Sequence, residues 1–178
     1  MNFNEFLNLN ESTLLDLYKS TVDAFPKTTK RQNSIDMIKI IEMNYTPYIG
    51  MKTLFVKGMA KNIDNQKEYD SIILFKNINY AKAKNESIVE LIASNNKKYY
   101  IERINPYLNE VVVRCSCPDF NWRFNYYNSL DKSLYGRKRK KYESRTNAIK
   151  ANVNEAEGMC KHLIKLVKAI KDSKLMED

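Results

Sequence analysis

Few of the residues that enzyme motifs are built from occur in this chain. There are 4 glycines, scattered singly, and neither a Gly-rich phosphate loop nor a hydrolase nucleophile elbow can be found among them. Histidine occurs once, cysteine three times and tryptophan once. Carboxylates do cluster, as in Asp64 with Glu68 and Asp70, or Glu155 with Glu157, but in polar stretches with no histidine nearby, and they form no two-metal set. No run approaches the roughly 18 apolar residues of a membrane span. Residues 1–7 put no basic segment ahead of an apolar one, which argues against a secretory signal. These absences predict a soluble protein of a reducing cytosol that is not an enzyme.

What is present supports a folded domain. The 178 residues are enough to bury about two thirds of the unfolded surface. Asn, Lys, Ile and Tyr are abundant, a bias of A/T-rich codons that points to a low-GC microbe or its virus. Were the source viral, the location would be the host cytoplasm and the virion. Lys and Arg total 30 against 21 Asp and Glu, a formal charge of +9. The excess is uneven: 12 basic and 10 acidic side chains up to residue 89, then 18 and 11. A basic second half suggests a polyanion or an acidic protein surface as partner, with no small-molecule substrate.

Periodicity predicts an α+β fold. Leu14, Leu15, Tyr18, Val22 and Phe25 fit a helix capped by Asn10 or Ser12 and stopped by Pro26. A polar, basic loop follows, with Lys27, Lys30 and Arg31 as a minor cluster that reads best as solvated. Residues 35–45, 52–60, 69–80, 87–93, 97–104 and 110–115 are strand candidates, with turns at 94–96 and 105–109. Connections this short predict an antiparallel meander of five or six strands. Pro118 suits a first helical position, and Phe120, Arg123, Phe124, Tyr127, Leu130 and Leu134 recur at helical spacing. Residues 135–157 are polar and basic. In the last helix Leu163, Leu166, Val167 and Ile170 form one apolar stripe. The chain thus divides into an N-terminal helix and basic loop (1–33), a sheet (34–109) and a third region (110–178) carrying a helical and basic insertion (118–157).

All of the cysteine and histidine lies in two short motifs, Cys115-Ser116-Cys117-Pro118-Asp119-Phe120 and Gly158-Met159-Cys160-Lys161-His162-Leu163. Residues i and i+2 of a strand share a face, so Cys115 and Cys117 project together at a strand end. Two residues apart inside a helix would diverge, so Cys160 is expected just before the last helix and His162 in its first turn, with Gly158 easing the approach. Three sulfurs and an imidazole make a closed tetrahedral set suited to one structural Zn2+. A disulfide between Cys115 and Cys117 is geometrically poor, and a catalytic Cys–His pair lacks a third orienting residue.

These motifs resemble the SWIM-type zinc finger over about residues 110–170. In that family a β-hairpin supplies Cys-x-Cys, a following helix supplies Cys-x-His, and the module binds DNA or protein without catalysis of its own. The resemblance implies Cys115, Cys117, Cys160 and His162 as ligands and Phe120 as the aromatic after the first pair. The 42 residues between Cys117 and Cys160 exceed the usual family spacing. The N-terminal helix, the segment 25–32 and the aromatic stretch 120–124 are also similar to small uncharacterised proteins of tailed bacteriophages.

Arg137, Lys138, Arg139, Lys140 and Lys141 are consecutive, flanked by Tyr135 and Tyr142, with Arg145 and Lys150 beyond. Such a run can contact phosphates, dock on an acidic protein, or simply be solvated. Successive helical residues turn by about 100°, so the five aromatics of 120–127 cannot all face one way. Trp122 and Tyr126 fall away from Phe120, Phe124 and Tyr127, which marks them as a possible interface. Two functions are expected from this reading: a virion or assembly component contacting protein neighbours, or a nucleic-acid-binding module using the basic insertion.

Overall fold

A computed structural model describes residues 12–26, 34–143 and 152–177. Asn10, the cluster of Lys27, Lys30 and Arg31, and the pair Arg145 and Lys150 lie outside the described residues. The fold is α+β, with antiparallel sheets and helices towards both ends.

Helix α1 (Leu14–Ala24) begins at Thr13, not at Asn10 or Ser12. Thr13 closes a capping box: its Oγ1 accepts from Asp16 N, and Asp16 Oδ2 accepts from Thr13 N at 3.0 Å. The helix ends before Pro26, as expected. Its core face is Leu14, Leu17 and Thr21, displaced by part of a turn from the predicted stripe, and Tyr18 is exposed.

Strands β1 (Ile38–Tyr48), β2 (Thr53–Asn62) and β3 (Glu68–Phe75) form a meander, and β7 (Val111–Cys115) adds to β3, giving the order β1-β2-β3-β7. The continuous meander predicted from sequence breaks here. β4 (Tyr80–Ala81), β5 (Ile88–Ile92) and β6 (Lys98–Glu102) form a second sheet in the order β4-β6-β5. The run 69–80, expected as one strand, is cut between Phe75 and Tyr80, where Asn77 adopts a left-handed φ of 57°. The turn expected at 94–96 joins β5 to β6, with Asn96 at φ 61°. The turn at 105–109 instead carries the chain from one sheet to the other.

Strand parity decides what faces the core. Leu54, Val56, Gly58 and Ala60 of β2 alternate inward and pair with Phe75, Ile73, Ser71 and Tyr69 of β3. β3 in turn sets Phe75, Ile73 and Ser71 opposite Val111, Val113 and Cys115 of β7. One row therefore runs Gly58, Ser71, Cys115 across the sheet. Helix α3 (Lys161–Asp172) lies on that face with Leu163, Leu166 and Ile170 buried. A Cβ on Gly58 would stand 2.5 Å from Leu166 Cδ1, so the missing side chain is what lets the helix approach.

The outer edge of β7 is covered by returning chain. After a π-helical turn (Phe120–Phe124) and α2 (Asn125–Leu130), Val113 N donates to Ser133 O at 2.7 Å and Tyr135 N to Val113 O at 3.0 Å. The two sheets share a core that includes Leu54, Phe75, Leu91, Ile101, Val113 and Leu163. None of the described helices is long and apolar enough to cross a membrane.

Candidate metal centre

The sheet row ending at Cys115 and the start of α3 meet at one point. β7 ends on Cys115, and Ser116 turns the chain with two bonds to β3: its N donates to Asp70 O (2.9 Å), and its Oγ accepts from Asp70 N (3.0 Å). That tether brings Cys117 back beside Cys115. Cys160 is the extended residue preceding α3, and His162 lies in its first turn, both as predicted. The role expected of Gly158 is different, because it does not adopt a left-handed φ. A Cβ there would lie 2.4 Å from Thr21 Oγ1 and 2.8 Å from the Phe124 ring, so it is the contact that requires glycine.

Cys115, Cys117, Cys160 and His162 are all buried, and their ligand atoms lie within 4.8 Å of one another. Tetrahedral bonds of about 2.3 Å put ligand atoms roughly 3.8 Å apart. The Cys160 Sγ to His162 Nδ1 separation is 4.0 Å. Nδ1 thus faces the sulfurs, while Nε2 sits 2.9 Å from Asn62 Oδ1. An amide oxygen only accepts, so Nε2 carries the proton and Nδ1 keeps its lone pair for a metal. The Tyr69 ring packs on the imidazole, centroids 4.8 Å apart, and fixes its plane.

The sulfurs receive hydrogen bonds of the kind that thiolates attract. Phe120 N donates to Cys117 Sγ at 3.3 Å, and Cys117 N and Ser71 Oγ donate to Cys115 Sγ at 3.5 Å each. Burial pushes the Cys115 thiol up, but hydrogen bonds led by those from Cys117 and Cys160 outweigh it and hold the group well below the usual range. Its hydrogen bond with Cys115 then raises the Cys117 thiol. Cys160 is held well above the usual range, first by burial and then by both neighbours. Thiolates packed this closely repel one another, so three together need a cation among them. Donor type, spacing, enclosure and tautomer fit one metal ion with no ligand position left open.

Asn62, Tyr69 and Ser71 complete this centre and were not found by sequence reasoning. Their strand parity would have suggested them only once the pairing of β2, β3 and β7 was known.

The other predicted residues form a separate face. The backbone of the basic run is fastened to the body. Arg114 Nη1 donates to Tyr135 O and Arg137 O, both at 3.0 Å, and Arg139 N to Asn125 Oδ1 at 2.7 Å. Gly136, at φ 78°, makes the turn past the Arg114 guanidinium. Lys138 stands over the Tyr126 ring at 4.9 Å, and Lys141 pairs with Glu155 at 2.6 Å. Trp122 packs on Tyr142, centroids 5.1 Å apart, and both stay about half exposed. Arg114, adjacent in sequence to the first ligand, is the residue that joins the two regions. Comparison of the chain with protein-family models, with curated proteins and with solved structures finds no match.

Proposed function

We propose that this chain is a non-enzymatic, zinc-stapled binding module, similar in plan to the SWIM-type finger, whose centre holds a basic and aromatic face rigid for an anionic partner. The observation that carries this reading is the enclosed Cys115, Cys117, Cys160 and His162 set with Nε2 already committed to Asn62. Zinc suits three thiolates and one imidazole in a tetrahedron, and four protein ligands leave no position for a substrate or an activated water. Bound zinc would tie β7 to α3, elements 45 residues apart from Cys115 to Cys160, so its binding energy supports folding. Elemental analysis of freshly purified protein should find one zinc per chain. Chelation should then lower the melting temperature by many degrees, and an unchanged transition in protein shown to be zinc-free would overturn the proposal.

A second reading, a structural component of a phage particle seated against protein neighbours, draws support from the tip of the β1–β2 hairpin. Tyr48, Ile49 and Met51 are exposed there together, an apolar cluster with no covering element among the described residues. Co-purification of the native protein with capsid, portal or tail proteins would favour it over the anionic-partner reading.

A further inference from the structure

We propose that the groove between Trp122 and the strap 137–142 binds single-stranded nucleic acid, with phosphates along Arg137, Arg139 and Lys140 and a base stacked on the open face of Trp122 or Tyr142. This rests on the anionic-partner reading above and names the partner.

The groove encloses about 500 Å³ and is lined by Arg114, Trp122, Tyr142, Glu143 and the basic run 137–141. Its shape is set by the body of the protein. The strap is pinned at Tyr135 and Arg137 by Arg114, at Arg139 by Asn125, at Lys138 by Tyr126 and at Lys141 by Glu155. A solvated basic tail has no such fastening, and it would not keep its charges in register.

Within the strap the cations differ. Lys141 has its carboxylate and Lys138 its ring, whereas the side chains of Arg137, Arg139 and Lys140 are exposed and have no anionic partner among the described residues. Three cations with no ion pair among the described residues, outnumbering Glu143 in the same lining, are a footprint for successive phosphates.

The wall itself selects among anions. Trp122 is 51% exposed and Tyr142 is 45% exposed, large apolar rings left open next to charge. Their centroids are too close for a base to enter between them, so stacking must use the outer faces. Bases of a duplex are already stacked on each other and offer a protein only their edges, whereas a single strand can turn bases onto aromatic rings. An acidic peptide would use the charges and leave the rings idle.

Trp122 is the chain's only tryptophan, so its emission reports the groove directly. Adding a short oligothymidylate to the full-length, metal-loaded protein should quench that emission, while heparin and polyglutamate should not. Neutralising Arg137, Arg139 and Lys140 together should reduce the log–log salt slope by about 2, from roughly 0.7 per phosphate contact. By anisotropy with a labelled oligonucleotide, Trp122→Ala should weaken binding roughly tenfold. Trp122→Phe should retain most of the affinity, and both variants should melt with the parent. Should Trp122→Ala destabilise the fold, Tyr142→Ala tests the same wall from its other side. Equal affinity for heparin, polyglutamate or duplex DNA, indifferent to both aromatic variants, would overturn the stacking proposal while leaving an anionic-partner face standing. No binding of any polyanion at low salt would overturn both.

Discussion

Asn62 is neither charged nor a ligand, yet it chooses which imidazole nitrogen faces the sulfurs. The last residue of β2, it shares the inward parity of Ala60, and its Oδ1 stands 2.9 Å from His162 Nε2. Asn62→Ala should therefore lower metal affinity roughly 10- to 100-fold without altering the ligand set. Competition with a chromophoric chelator measures this, and an unchanged constant would mean that Tyr69 packing alone orients the ring. Tyr80 offers a different test. Its hydroxyl donates to Thr53 O at 2.6 Å, linking the small sheet to β2, and burial pushes its pKa up to about 12. Above pH about 10 the unfolded phenol ionises while the folded one stays protonated, so the native state holds the extra proton and stability falls as pH rises towards 12. Tyr80→Phe loses the hydrogen bond, at a cost of about 1 kcal/mol near neutrality. Having no phenol at this site, the variant should lose less at high pH, and the gap between the two unfolding free energies should narrow across that window. A constant gap would contradict the assignment. At this scale the candidate ligands were legible, because the chain's three cysteines and its one histidine stand in two pairs with strand-end and helix-start spacing. Asn62 and Tyr69 were not, because nothing local marks a residue whose value comes from strand register.

Among the elements, α3 was the easiest to read, since Leu163, Leu166 and Ile170 are both periodic and buried. α1 was read with its face turned. Leu15 and Tyr18 are themselves apolar, and the docking of α1 decides between the faces, against residues 157–159 on one side and the segment 106–111 on the other. The same junction yields a prediction. Gly158 is clamped by Asn128, which accepts from its N at 2.9 Å and donates to its O at 3.1 Å, while Met159 N donates to Thr21 Oγ1 at 2.8 Å. The backbone has no room to retreat from a new methyl group, whose position lies 2.4 Å from Thr21 Oγ1. Gly158→Ala should cost about 1–3 kcal/mol as overpacking, read by denaturant unfolding of the metal-loaded protein. Free accommodation would mean that α1 shifts easily and the junction is soft. The break between β3 and β4 was missed for a related reason: Ile78 and Tyr80 carry the strand alternation on past Asn77 and Asn79, and the left-handed conformation of Asn77 is permitted by its residue type without being required by it.

At the scale of the molecule, the two-sheet arrangement could not be read, because connection lengths alone allow β7 to pair with β6 as readily as with β3. The choice belongs to the core, where Val111 and Val113 bury against Phe75 and Ile73 and so bring Cys115 to the face that α3 covers. Core residues of both sheets form one cluster, which also includes the three cysteines. The small sheet is stitched to this body by Tyr80 to Thr53 and Ser94 N to Tyr45 O, and the chain after α3 by Ile104 N to Leu175 O. If the metal ties β7 to α3, its removal opens the face on which all of these depend. Hydrogen exchange on chelated protein should accordingly show protection falling together at Val113, at Leu166 and at Ile101 of the small sheet. Trp122 emission should shift in the same step, because the strap is fastened through Arg114, the neighbour of the first ligand. Loss of protection confined to 111–130 and 160–172, with β4, β5 and β6 still protected, would instead reveal a sheet that folds without the centre, and the metal would then staple a part of the molecule rather than the whole.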